Sequence, residues 1–309
     1  MVNSSIEASA DTTAPGAIAD ALGEAAKSVD AALDRLLPRP AGLHGRVHEA
    51  MRYAVFAGGK RLRPFLILQS AALFGVPAER AVRAAAAIEA LHTYSLVHDD
   101  LPCMDDDDLR RGRPTVHRAF DEVTAVLAGD ALLTIAFEIL SADETHPAAA
   151  VRCRLVAELA RAAGSDGMIG GQMIDMQAAS NAFGSDEVIL LQRLKTGALF
   201  EFCCIAGPVL GEARADDEAR LREFARDIGL LFQITDDLLD VTGTAEKTGK
   251  AVGKDKDQGK ATLVSLLGVD AARSRAEALA RHAAETVAPY KGRAAALRAL
   301  PGFLLARES

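Results

Sequence analysis

Aromatic residues make up only 5% of this 309-residue chain, and the cysteines number four, Cys103, Cys153, Cys203 and Cys204, with no C-x-x-C pair among them. That argues against a disulfide framework or a thiolate metal site; the cysteines read as small core residues in a reducing compartment. Positive charge is not in excess either. The formal net charge is -8, which argues against a nucleic-acid partner. No uninterrupted apolar run reaches the roughly 18 to 20 residues that span a bilayer, so no transmembrane segment is expected. The stretch through Gly16 lacks a basic n-region and an Arg-rich amphipathic face, and reads as a loose tail of residues 1–16. Asn-Gly and Asp-Gly hairpin signals between alternating runs are missing as well. The expectation is a cytoplasmic protein with one domain over 17–309.

What the chain has in quantity is alanine and apolar residues, 50% hydrophobic in all, enough for a sizeable core. Apolar positions recur at i, i+3 and i+4 in runs that predict helices over Ile18 to Leu36, Arg46 to Phe56, Leu66 to Phe74, Ala78 to Val97, Thr124 to Leu140, Val151 to Ala162, Val188 to Ile205, Ala219 to Leu239 and Ala271 to Val287. Gly and Pro punctuate the intervals, among them Pro38, Gly58-Gly59, Pro102, Gly164 and Gly211. The fold class that follows is all-α, with two long central helices that end in aspartates.

Those aspartates are the main chemical signal. The first cluster holds Asp99, Asp100 and Asp105 and runs on through Asp108 to Arg110 and Arg111; the second is Asp236, Asp237 and Asp240. Carboxylates repel one another and are rarely gathered beside apolar runs unless a cation is bound. An oxygen-only donor set suits a hard cation, Mg2+ in particular, which takes one or two carboxylates and completes its shell with water and substrate phosphate. Asp236 and Asp240 are i and i+4 and share a helix face. Asp99 and Asp105 stand about 240° apart on an ideal helix. The first cluster is therefore expected to leave the helix at Pro102 and fold back.

Cations answer the carboxylates. Lys60, Arg61 and Arg63 surround a turn after Gly58-Gly59, and Lys195-Thr196, Lys250, Lys254 and Lys260 lie in the second half. Arginine recognises phosphate bidentately and lysine adds a compact charge, so the set suits two phosphate-bearing ligands, one bridged to aspartates by metal and one held by Lys and Arg alone. Four simpler patterns fail. Glu89 and His92 form a single E-x-x-H where a di-iron bundle needs two. His98-Asp99 as a phosphohydrolase dyad leaves the second cluster unused. Lys250 and Lys260 lack the following Ser or Thr of a phosphate loop. An EF-hand starting at Asp99 would have Met104 in place of its Gly and Arg110 in place of its Glu.

Six blocks in order, GGKRLRP (58–64), LHTYSLVHDDLPCMDDDDLRRGRPT (91–115), GGQMID (170–175), KTGALF (195–200), FQITDDLLD (232–240) and GKATL (259–263), resemble the trans-isoprenyl (polyprenyl) diphosphate synthases, most closely the bacterial farnesyl diphosphate synthases. The resemblance implies a single large antiparallel helical bundle with a deep central cavity, usually a homodimer, with the two clusters facing each other across its mouth. It implies Mg2+, several ions per site with Mn2+ able to substitute, held by Asp99, Asp100, Asp105 and Asp236, with Asp237 and Asp240 in support. Arg110, Lys195, Thr196, Gln233 and Lys250 or Lys260 would contact the allylic diphosphate. Lys60, Arg63, His92 and Arg111 would hold isopentenyl diphosphate. Tyr94 and Ser95 would set the chain length at farnesyl, with geranylgeranyl as the alternative product.

The implied chemistry explains the residue types. An allylic diphosphate loses pyrophosphate, the isopentenyl double bond attacks the cation, and a proton is lost. The work is charge stabilisation and exclusion of water, so no Ser/His/Asp or Cys/His constellation is needed. Two other classes would fit parts of the pattern: a non-catalytic subunit of a heteromeric synthase, and a helical metal-dependent phosphohydrolase. Intact aspartates in both clusters, with Lys60 and Arg63, argue against the first.

Overall fold

The computed structural model describes residues 15–178, 183–242 and 262–306. Helix α1 spans Pro15–Leu36, α2 Gly45–Val55, α3 Leu62–Leu73 and α4 Ala78–Asp99. Two short strands, β1 Leu109–Arg110 and β2 Arg113–Pro114, precede α5 Val116–Ala119, α6 Glu122–Ser141, α7 Ala149–Ala163 and α8 Met168–Ala178. Then come α9 Ser185–Gln192, a π-helical turn Arg193–Gly197, α10 Ala198–Leu210 and α11 Ala215–Thr242. Helices α12 Leu263–Leu267 and α13 Val269–Thr286, a 3-10 segment Ala288–Ala294 and α14 Ala295–Leu305 follow.

Helix α4 is the centre. Every residue from Ala84 to Leu91 is buried, so it is a helix covered on all sides. Its alanines let neighbours approach closely, and it packs against α6 on one side and α3 on another. Helix α3 packs on α10, α10 on α11, and α11 on α13, which carries the core from one acidic helix to the other. Gly207 on α10 makes one of these contacts possible: a Cβ there would lie 2.4 Å from the Ala71 nitrogen of α3.

Several elements differ from the sequence expectation. Helix α1 begins at Pro15, so Gly16 belongs to it and not to a tail. Helix α3 starts inside the GGKRLRP block, because Pro64 sits in its first turn where no N–H is needed. The run expected as one helix from Val188 is split by the π turn. Helices α8 and α14 escaped notice because Gly170, Gly171 and Pro301 lower helix propensity inside them. The hairpin turns at Arg111 and Gly112, both at positive φ (54° and 74°), the geometry a two-residue hairpin needs. Cys203 and Cys204 are buried as expected, but Cys103 and Cys153 are exposed. Cys103 lies in the loop that follows Pro102, and Cys153 lies on α7. Finally, α6 is long and apolar enough to cross a membrane by length and composition, since Asp130 and Glu138 interrupt its runs without lowering its average much; half of its most apolar stretch is buried inside the bundle.

Candidate active site

The first acidic cluster forms where α4 ends. The chain leaves the helix at Asp100 and folds back: the Asp105 N–H donates to the Asp99 carbonyl at 2.9 Å, and the Met104 N–H to that of Leu101 at 2.9 Å. Asp106 takes positive φ, 49°, to complete the turn. The return brings Asp105 beside Asp99, as the break at Pro102 led one to expect. Burial pushes the Asp99 carboxyl up to about 6; Lys195 pulls it down, while Asp105 and Asp100 hold it up. Asp100 is buried, and burial raises its carboxyl too, opposed by the Arg110 guanidinium, whose Nε donates to Asp100 Oδ1 at 3.0 Å.

The second cluster occupies the last turns of α11. Asp236 and Asp240 are partly exposed, whereas Asp237 is buried. Gln233 Nε2 donates to Asp237 Oδ1 at 2.8 Å and Gln192 Nε2 to Oδ2 at 3.3 Å, while Thr196 Oγ1 donates to Gln233 Oε1 at 3.3 Å. Asp237 thus pins the α9 end and the π turn to α11. Lys195, on that same turn, donates to Asp175 Oδ2 of α8 at 2.6 Å. Helix α8 approaches this closely because residue 171 is glycine: a Cβ there would stand 2.2 Å from the Lys195 nitrogen. A π turn is an uncommon element that recurs at functional sites.

The cations after Gly58-Gly59 form the third side. Arg63 Nη1 lies 3.3 Å from His92 Nε2, and its guanidinium rests over the Phe200 ring at 5.1 Å. Burial, followed by the charges of Arg63, Arg111, Arg61 and Arg110, drives the His92 imidazole well below its ordinary value, so it is neutral and accepts from Arg63. Burial also lowers the Arg63 guanidinium, and the charges of Glu89 and Asp236 reach it in compensation. Arg111 donates to the Gly58 carbonyl, and Gly59 leaves room for it, since a Cβ there would lie 2.6 Å from the Arg111 Cζ. Lys60 is exposed at the loop surface. Lys250 and Lys260 lie outside the described residues.

Tyr94 is buried beneath Asp99, and its ring meets His98 edge-on at 5.6 Å. Burial, then the Asp99 charge, pushes the Tyr94 hydroxyl up to about 12. Ser95 turns its hydroxyl onto the His92 carbonyl at 2.9 Å. The His98 Nε2 engages the Val126 carbonyl of α6 at 3.0 Å, and Glu89 pairs with Arg61, so neither of those two decoy patterns forms a site. A recess of about 30 Å3 opens beside Asp100, Arg110 and Arg111; a larger cleft, about 410 Å3, lies elsewhere, between α1, α3 and α4.

Charge therefore converges from four elements: Lys195 acts on Asp99, and Asp236 on Arg63. Among the described residues no group of three or more His, Cys, Asp or Glu could hold a metal ion unaided. The oxygen donors fit Mg2+ that is also ligated by substrate phosphate and water. Arg61 reads from the sequence as one more phosphate-facing cation and Glu89 only as half of a metal pattern, and the structure instead pairs the two. Gln172, Asp175 and Gln192 were not picked out from the sequence. GGQMID held two of them, Gln172 and Asp175, spaced i, i+3 on one helix face.

Residues 44–295 match the family model of polyprenyl synthetase. The chain belongs to the polyprenyl synthetase family. It is 46% identical over 228 residues to a farnesyl diphosphate synthase of Bacillus subtilis, covering 74% of this chain and 77% of that protein. It is 43% identical over 292 residues to the heterodimeric geranylgeranyl pyrophosphate synthase large subunit 1 of Arabidopsis thaliana, covering 92% and 78%. Among solved structures, an FPP/GFPP synthase of Zymomonas mobilis superposes with a TM-score of 0.86 at 45% identity, over 95% of this chain and all of that one. This polyprenyl synthetase is a prenyltransferase of the trans-prenyl diphosphate synthase type.

Proposed function

We propose that the product is farnesyl diphosphate, made by condensing isopentenyl diphosphate first with dimethylallyl and then with geranyl diphosphate. The observation that carries this reading is Tyr94, an aromatic side chain buried below Asp99 where a growing tail would run. Relatives named for farnesyl and for geranylgeranyl products are both similar to this chain, so the longer product is the second reading. Incubating the protein with Mg2+, isopentenyl diphosphate and dimethylallyl diphosphate, then analysing the chain lengths formed, tests it. Geranylgeranyl as the main product would overturn the farnesyl reading; phosphate release without carbon–carbon bond formation would overturn the whole assignment.

The residues divide the work. Asp99, Asp100, Asp105 and Asp236, supported by Asp237 and Asp240, would hold Mg2+, which would supply positive charge for the departing pyrophosphate of the allylic substrate. Lys195, Thr196, Gln233 and Arg110 contact the same leaving group, with Lys250 or Lys260 as a further cation. Lys60, Arg63, His92 and Arg111 hold the isopentenyl diphosphate, His92 as a neutral acceptor that fixes the Arg63 guanidinium. The allylic C–O bond breaks with its electron pair leaving on pyrophosphate, the isopentenyl double bond forms the new carbon–carbon bond, and the proton passes to pyrophosphate. Apolar walls keep water from the cation.

The working form we infer is a homodimer in which a second copy covers α6. Val123, Val126 and Leu127 on its outer face are 69%, 41% and 48% exposed, an apolar stripe that no other described residue covers. Light scattering on the wild type and on Val126→Asp/Leu127→Asp tests this; a monomeric wild type would overturn it.

A further inference from the structure

The GGKRLRP block contains a cation that faces the wrong way for substrate. Arg61 is almost fully buried between exposed Lys60 and partly buried Arg63. Its backbone is left-handed, φ 49° and ψ 36°, just before α3 begins. A branched or long side chain keeps that conformation only where its surroundings hold it. Here they do. Arg61 Nη1 donates to Glu89 Oε1 of α4 at 2.5 Å, Nη2 to the Val55 carbonyl of α2 at 2.7 Å, and Nε to Asp30 Oδ1 of α1 at 3.0 Å. One side chain at the head of α3 thus ties it to α1, α2 and α4.

The pair with Glu89 is buried at both ends, 1% and 3% exposed. Stability does not account for it, because a buried ion pair is about as stable as apolar side chains of similar volume in its place. Geometry does. Glu89 lies one helical turn before His92 on the same face of α4, and Arg61 stands half a turn before Arg63. Fixing Arg61 on Glu89 therefore fixes the start of α3 against α4 at the place where Arg63 meets His92, 3.3 Å apart. On the other side, the loop's Gly58 carbonyl receives Arg111. The loop is held from within by Arg61 and from without by Arg111.

We propose that Arg61 and Glu89 are positioning residues for isopentenyl diphosphate: their ion pair holds Lys60, Arg63, His92 and Arg111 in the arrangement that grips the non-allylic diphosphate, without touching it. This rests on the assignment of those four residues to that substrate. The test is the double variant Arg61→Met/Glu89→Leu, which removes both charges and leaves no unpaired ion in the core. The expected result is a Michaelis constant for isopentenyl diphosphate raised about tenfold or more. The allylic constant and kcat should stay within about twofold, with the melting temperature little changed. A second variant, Glu89→Gln, keeps the shape and should raise the same constant, with Glu89→Asp recovering part of the loss. Unchanged isopentenyl binding in a folded double variant overturns the proposal. So does a parallel rise in both constants, or failure of both variants to fold, which would mark the pair as a folding requirement. Arg63→Lys in the same assay separates the two ideas: if it leaves the isopentenyl constant alone, the substrate assignment has failed, whatever Arg61 does.

Discussion

The Lys195 ammonium is bonded to Asp175 at 2.6 Å, yet its charge also depresses Asp99, on a different helix. One cation is therefore anchored by α8 and aimed at the acidic end of α4. Lys195→Met should lower kcat about a hundredfold, the cost of losing one preorganised stabiliser of a leaving group. Asp175→Asn, which leaves the ammonium in place but unanchored, should cost about tenfold. Single-turnover rates on geranyl diphosphate measure both, and an Asp175→Asn rate equal to wild type would show the anchor to be incidental.

Replacing Asp100 or Asp236 with Asn should reduce turnover by about two orders of magnitude while the helical fold survives, because on the proposed assignment each would help to hold the metal that meets the leaving group. Circular dichroism checks the fold, and product assays over a Mg2+ series check the rate. A folded Asp100→Asn/Asp236→Asn double variant with wild-type activity would defeat the metal assignment for both clusters.

Asp99 makes metal-free stability depend on pH. In the folded chain its carboxyl titrates at about 6, raised by burial, against about 3.9 when unfolded. Between those values the folded state binds more protons, so this group's contribution falls as pH rises through the window and stays low above it. Asp99→Asn carries no such penalty. In EDTA its melting temperature should exceed that of wild type by more at about pH 7.5 than at about pH 5. Mg2+ with a diphosphate should then stabilise the wild type and not the variant. Equal differences at the two pH values would show that Asp99 is not held in the way its surroundings suggest.

Tyr94→Ala should lengthen the products, because it opens space below Asp99 next to His98. It should also destabilise the fold by about 3 kcal/mol, the usual cost of emptying a buried aromatic site. Chromatography of the dephosphorylated products gives the answer. A folded variant that still stops at farnesyl would mean that the floor of the cavity is built by another residue.

The helical class and the fold-back between Asp99 and Asp105 were legible because periodicity and one proline encode them locally, whereas the assignment of Arg63 and His92 to one substrate came from the family resemblance and their contact from the structure. The contacts that set the site's shape were not legible. Asp175 reaching Lys195, Gln192 reaching Asp237 and Arg61 reaching Glu89 join distant stretches of chain, and no spacing rule predicts which polar residues will meet. Helix α8 shows the same limit from the other side. Gly170 and Gly171 argue against a helix in isolation, while the packing that demands Gly171 is a tertiary fact about the Lys195 turn.

Both acidic clusters stand in or just beyond the last turns of their helices, α4 and α11. A helix carries partial negative charge at that end, so two backbone dipoles reinforce the carboxylates rather than offset them. The chain behind these helix ends has a net charge of -8, so they disfavour an anion that comes without a cation. A naked diphosphate would meet a barrier there, and a metal-complexed one an attraction. On the proposed assignment, a divalent cation would gate capture of the allylic substrate before any bond is broken, and titration calorimetry should find geranyl diphosphate bound weakly in EDTA and tightly once Mg2+ is added.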